Sequence, residues 1–342
     1  MPEPSAVGRP VRVLVTGAGG PSAVSIMKSL SRVDGVTLWA ADIDANAAGL
    51  YLVPPARRLL LPRGDAPGFI DALLEWCRAE SIEVVFPTVD QELLPLALSR
   101  EAFLAAGVRP VLTDAAVLRD CLDKWRLYEA CRGRLPLPRT ALLDESFRAM
   151  DWELPVIVKP RTGSGSRDVT LVTDPAWFRA VDRGGSFLVQ ELLPGEEHSL
   201  DVLSAPTGDV IAVVPRLRLK IDSGVAVAAR TLHDAELDAL ARQVAATIGL
   251  TWVSNVQSRR DADGRPRLLE VNPRFPGTMP LTVAAGVDMP AICLSMALGA
   301  PAPAPMGFHD VAMVRYLEER FLAPEELTAV PTTPVLELAR SG

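Results

Sequence analysis

The sequence predicts an α/β domain on a parallel sheet, followed by an α+β region on antiparallel strands. Two patterns carry this reading. Over the first third, short β-branched runs alternate with helical segments, as strands joined by crossover helices do. After the Pro-rich connector Arg134–Thr140 (RLPLPRT), strands follow one another across short turns. The apolar share, 49% of 342 residues, suffices for more than one core.

The elements follow in order. Val11–Val15 (VRVLV) is a strand, trailed by TGAGGPS and an amphipathic helix over Ala23–Arg32. Thr37–Asp42 is the second strand and Ile82–Pro87 a later one, ahead of a helical stretch at Gln91–Ala106. Val108–Leu112 closes the region, and a boundary falls near Thr113, where the helical run DAAVLRDCLDKWRLYEACR begins. Strands are then expected at VIVKP, VTLV, FLVQ, HSLDVLS and VIAVVP, with one helical segment at Asp174–Asp182. The last third carries a helix (His233–Gly249), strands at Trp252–Ser258 and Pro266–Val271, and a helix at Met289–Leu298. PAPAPM reads as a loop, and VAMVRYLEE adds one more strand.

Composition excludes several function classes. A formal net charge of −7 and a pI near 5.2 argue against a nucleic-acid or anionic-membrane partner. No apolar run approaches the roughly 18–20 residues of a membrane span, and MPEPSAVGRP lacks a signal-peptide pattern. Cys77, Cys121, Cys131 and Cys293 stand far apart with no CxxC, and only three histidines exist, which disfavours zinc or a disulfide scaffold. A soluble cytoplasmic protein is the default expectation. Only four of 35 basic residues are lysines (Lys28, Lys124, Lys159, Lys220), so a retained lysine points to a need for a compact point charge.

Two glycine-rich loops invite a phosphate reading. GAGGPS follows the first strand, and Asp42 ends the second, as in a dinucleotide site. However, Gly17, Gly19 and Gly20 do not complete G-x-G-x-x-G, because position 22 is Ser; a non-nucleotide use of the same fold is the stronger reading. The second loop, VIVKPRTGSGSRDVTLV, has Lys159 before Gly163 and Gly165, and a strand after them, so it is not a P-loop. It is a hairpin whose tip, with Ser164, Gly165 and Ser166, can fold over phosphates above Lys159. Taken alone, a mobile Gly/Ser hairpin with a snorkelling lysine is the stronger reading.

The C-terminal strands narrow the choice. LLEVNPR places Glu270 and Asn272 two apart, on one face and about 6.6 Å apart along the strand. The strand SNVQS, joined through DADGRP, brings Gln257 beside them. Three oxygen-bearing side chains on one face suit Mg2+, while a solvated face with a Glu–Arg pair is the alternative. Between these regions, FLVQELLPGEEHSLDVL offers a hinge that can receive an adenine edge, and a later acid for ribose.

Together these motifs resemble the ATP-grasp superfamily, in particular the carbamoyl-phosphate synthase large-subunit-like branch with its carboxylate–amine ligases. The resemblance spans VLVTGAGGPSA, DKWRLYE, VIVKPRTGSGSRDV, QELLPGEEHSLDV, NVQ and LLEVNPRFPG. It implies a pre-ATP-grasp domain over 1–113 and an ATP-grasp domain over 114–325, followed by a tail over 326–342. A small lid-like subdomain falls at about 120–192 and a catalytic subdomain at about 193–325. It implies that Lys124 and Lys159 hold ATP phosphates, Thr162–Arg167 cover them, Glu191 and Leu193 lie at the adenine hinge, and Glu197 binds ribose. Gln257, Glu270 and Asn272 become the magnesium ligands, with two ions bridged by Glu270 and Mn2+ as a substitute; Arg274 steadies the transferring phosphoryl group. Asp168 and Pro276 depart from the family pattern and have no assigned role.

The implied activity is ATP-dependent joining of a small carboxylate to an amino-acid-like amine through an acyl phosphate, with release of ADP and phosphate. Alternatives are carbamoyl-phosphate-synthase-like or carboxylase-like phosphorylation of a small carboxylate or bicarbonate, a nucleotide binder without turnover, and a nicotinamide oxidoreductase. A homodimer is among the expectations for its assembly.

Overall fold

The computed structural model describes residues 9–163, 165, 167–222 and 224–327. Ser164, Ser166 and all but the first two residues of the expected tail lie outside them. The first domain is a five-stranded sheet in the order β3-β2-β1-β4-β5, with every neighbouring pair parallel. Its strands are β1 (Val11–Val15), β2 (Val36–Asp42), β3 (Arg58–Leu60), β4 (Val84–Phe86) and β5 (Arg109–Pro110). Helices α1 (Pro21–Leu30), α2 (Phe69–Ala79), α3 (Asp90–Leu98) and α4 (Arg100–Ala105) connect or flank them. Strand β3 was not expected: at three residues it is too short for periodicity to show. The single helical stretch expected at Gln91–Ala106 is two helices, interrupted at Ser99, behind Pro95.

The long helical run after Thr113 is likewise two helices, α5 (Ala115–Cys121) and α6 (Lys124–Cys131). Asp123 causes the break, since its carboxylate accepts from the Trp125 and Arg126 amides and so starts a new helix. A four-stranded antiparallel sheet follows, in the order β6-β9-β7-β8: β6 (Thr140–Leu142), β7 (Val156–Pro160), β8 (Thr170–Val172) and β9 (Phe187–Glu191). The helix expected at Asp174–Asp182 is a short 3-10 turn over Pro175–Arg179.

The third sheet is six-stranded and antiparallel, in the order β14-β13-β10-β11-β12-β15. Its strands are β10 (Glu197–Ser204), β11 (Val210–Asp222), β12 (Val225–Thr231), β13 (Trp252–Arg260), β14 (Pro266–Asn272) and β15 (Ala312–Val314). Helix α7 (Ala235–Ile248) packs on one face, capped by Asp234 and ended by Gly249 in the left-handed region. Helices α8 (Met279–Ala284) and α9 (Met289–Ala297) pack against α1 of the first domain. One apolar core therefore runs from Val13, Ile26 and Phe86 through to Leu203, Phe275 and Met289.

Candidate active site

Residue chemistry concentrates where the three sheets face one another. A cavity of about 620 Å3 lies between the first domain and the six-stranded sheet. Its first-domain wall is made by the loops leaving β1, β2, β3 and β4, which is where parallel α/β sheets place ligands. Its other wall is the strand face carrying Asn255, Gln257, Glu270 and Asn272. A narrow slot adjoins it between the four- and six-stranded sheets, lined by Leu137, Thr140, Lys159, Leu188, Gln190 and Leu268 among others. Lys124 also lines the slot, and its Nζ is 3.9 Å from Glu270 Oε2, so slot and cavity adjoin there.

The expected phosphate and metal residues converge on that junction. In the β13–β14 register Gln257 opposes Glu270 and Asn255 opposes Asn272, with a bulge just after Gln257. Asn272 donates its amide NH2 to Glu270 Oε1 at 3.3 Å. The three side chains offer oxygen donors and a single carboxylate, the chemistry a hard divalent cation takes. Among the described residues no cluster of three His, Cys, Asp or Glu offers a competing site.

Lys124 opens α6 and donates to the Gly163 carbonyl at 2.8 Å, tying that helix to the Gly/Ser hairpin. Lys159 sits on β7, only 8% exposed, and donates to Gln190 Oε1 at 3.0 Å. Burial pushes its ammonium down to about 8; the Glu270 and Glu197 carboxylates oppose that shift and Lys124 adds to it. A buried ammonium whose hydrogen-bond partner is a neutral amide is a good receptor for a polyanion. Gly165, in the left-handed region at φ +74°, lines the cavity and meets the β11–β12 turn at Gly224, where a side-chain carbon would stand 3.2 Å from Gly165 Cα.

Other expected residues are placed differently from one another. Leu193 is buried. The Glu191 side chain is exposed, and its Oε1 accepts from the Arg139 amide at 2.9 Å. The residue before it, Gln190, fills the slot instead, held between Lys159 and the Thr140 hydroxyl. Strand alternation is the reason, because consecutive side chains on β9 leave opposite faces. Glu197 is engaged by Arg218, which also donates to the Gly224 carbonyl, and lies 3.9 Å from Arg259. Arg274 lines the cavity and pairs with Asp90 of the first domain. Asp168 is exposed and, among the described residues, has no ion pair with Arg167.

Sequence reasoning passed over Gln190, Asp90 and a buried network on the same sheet face as Gln257, Glu270 and Asn272. There Asp201 accepts from Arg216 at 3.0 and 2.6 Å, from Asn255 at 2.8 Å, and from the Thr282 hydroxyl. Arg216 is therefore spent on Asp201, and Arg230 on β12 is exposed outside the cavity. The alternation FLVQE could have singled out Gln190; nothing local marks Asp201.

Residues 184–320 match the family model "ATP-grasp in the biosynthetic pathway with Ter operon", and residues 13–111 match the PylC-like N-terminal domain. A D-alanine–D-alanine ligase of Aromatoleum aromaticum is 29% identical over 217 residues, covering 54% of this chain and 68% of that one. A biotin carboxylase–ATP complex from Campylobacter jejuni shares the fold at TM-score 0.70 and 14% identity, covering 86% of this chain and 72% of that one. An L-amino acid ligase from Bacillus licheniformis does so at TM-score 0.64 and 16% identity, covering 86% and 75%. An ATP-grasp family match thus covers residues 184–320, within the antiparallel part of the chain, and a PylC-like match covers the first domain.

Proposed function

We propose that this protein is an ATP-dependent carboxylate–amine ligase. The observation that carries the reading is the convergence of Lys124 and Lys159 on Glu270, where the buried slot opens into the large cavity. The slot takes the nucleotide base beside Gln190 and the hinge at Leu193. Lys159 and Lys124 take the phosphates, and Glu197 takes the ribose. Gln257, Glu270 and Asn272 would hold Mg2+, as two ions or with Mn2+ as a substitute, and the metal would there neutralise phosphate charge. The cavity is large enough for two small substrates beyond the phosphates.

Chemistry then depends on position and charge, with no nucleophilic side chain. A substrate carboxylate attacks the γ-phosphorus, forming an acyl phosphate and releasing ADP. An amine attacks the acyl carbon, loses a proton, and expels phosphate. Arg274, held by Asp90, stands at the cavity wall to steady the transferring group. Enclosure between the two domains limits hydrolysis of the acyl phosphate. The test is an ADP-release screen of amino acids, singly and in pairs, with Mg2+. Active pairs should lose at least a hundredfold in kcat on Glu270→Gln; retained turnover in that variant would remove the metal-site assignment.

A further inference from the structure

The glycine loop after β1 has no part in the reaction as described so far, yet it opens onto the same cavity. Gly19, Gly20, Pro21 and Ser22 all line it, and α1 begins there without a side-chain cap. The Gly20 amide is used by the Gly17 carbonyl, and the Val24 amide by the Gly20 carbonyl. Asp42 takes the Gly19 amide at 2.7 Å. Among the described residues, the Ser22 and Ala23 amides then have no acceptor, at the positive end of a ten-residue helix.

A second observation points to the same spot from the other domain. Thr278 is 6% exposed, lines the cavity, and makes no side-chain hydrogen bond; nor does its hydroxyl cap α8. Its neighbour Gly277 is pressed on α1, where a side-chain carbon would stand 2.9 Å from Pro21 Cγ. Ser22 donates its hydroxyl to the Phe275 carbonyl, locking the two segments together. Arg315 donates to the Gly277 carbonyl, and its Nε has no partner. That contact polarises the Gly277–Thr278 peptide and adds positive charge behind it. An unused hydroxyl, nine-tenths buried, therefore lines the cavity next to the uncapped end of α1.

We propose that the α1 N-terminus and Thr278 form a carboxylate subsite for the amine-bearing substrate, making that substrate an amino acid rather than a simple amine. The inference rests on the ligase reading of the cavity. Amide N–H groups and one hydroxyl, with no lysine or arginine side chain of the cavity wall left unpaired beside them, match a single negative charge better than a phosphomonoester. The subsite also gives the glycine loop a use in a fold that has lost the dinucleotide fingerprint.

The test is a binding measurement, independent of turnover. Saturation-transfer NMR is run on the full chain with Mg2+ and a non-hydrolysable ATP analogue, against amino acids, their carboxamides and phosphoethanolamine. At least one amino acid should bind tenfold or more tightly than its carboxamide. Thr278→Val should bring the pair within threefold, Thr278→Ser should keep the preference, and affinity for the nucleotide analogue should stay unchanged. Equal binding of acid and carboxamide, binding of no acid, preference for phosphoethanolamine, or a preference surviving Thr278→Val would each overturn the subsite. The ligase reading fails separately, on absent Glu270-dependent ADP release.

Discussion

Lys159 is a charged residue held in its place at a cost to stability. Its ammonium is buried, and its pKa falls from 10.5 to about 8. Below pH 8 both folded and unfolded chains carry the proton, so the full cost of burying the charge is present, about 3 kcal/mol by linkage. Between pH 8 and 10.5 the folded protein gives up the proton first, and stability rises with pH. Lys159→Met should therefore stabilise the ligand-free protein at pH 7 by about 1–3 kcal/mol in urea unfolding, with the gain fading towards pH 10. The same variant should weaken nucleotide binding at least a hundredfold. Wild-type affinity for ATP should fall as pH rises through 8, and a flat profile in calorimetric titration would contradict a phosphate contact at Lys159.

At the scale of elements, strand alternation decides which residues of QELLPGEE can touch a nucleotide. Gln190 on β9 faces the slot and Glu191 faces outward, so Gln190→Ala should raise the Kd for ATP about tenfold, the worth of one lost buried hydrogen bond. Glu191→Ala should change it less than threefold; fluorescence titration of both variants decides between them, and the reverse order would place the hinge one residue later. Period-2 and period-3.6 patterns made most elements legible in the sequence, and the β13–β14 pairing that gathers Gln257, Glu270 and Asn272 was readable from one hairpin. What was illegible has physical causes. Short β3 and α8 carry too few residues for a period, and the α5–α6 break turns on one capping aspartate. Asp201 finds its partners 15 to 81 residues away, a separation no local pattern encodes.

For the whole molecule, the decisive feature is that the two domains, besides clusters of their own, share one apolar core across their interface. Phe275 is 2% exposed, follows Arg274 directly, and packs on Phe86 of β4 with ring centroids 5.7 Å apart. Met279 and the α9 side chains continue the same cluster against α1. The cavity walls are therefore fixed relative to one another by packing, and the ion pair between Asp90 and Arg274 only refines the alignment. Burial of this kind outweighs a partly exposed ion pair, which contributes on the order of 1 kcal/mol or less. Phe275→Ala should cost about 3–5 kcal/mol. Because the core is shared, hydrogen exchange should show the loss equally in the amides of β1 and β4 and in those of β10 and β13. Protection lost from the six-stranded sheet alone, with the parallel sheet unchanged, would mean that the first domain is an independent unit. The carboxylate subsite between α1 and Thr278 would then lack the rigid frame on which it depends.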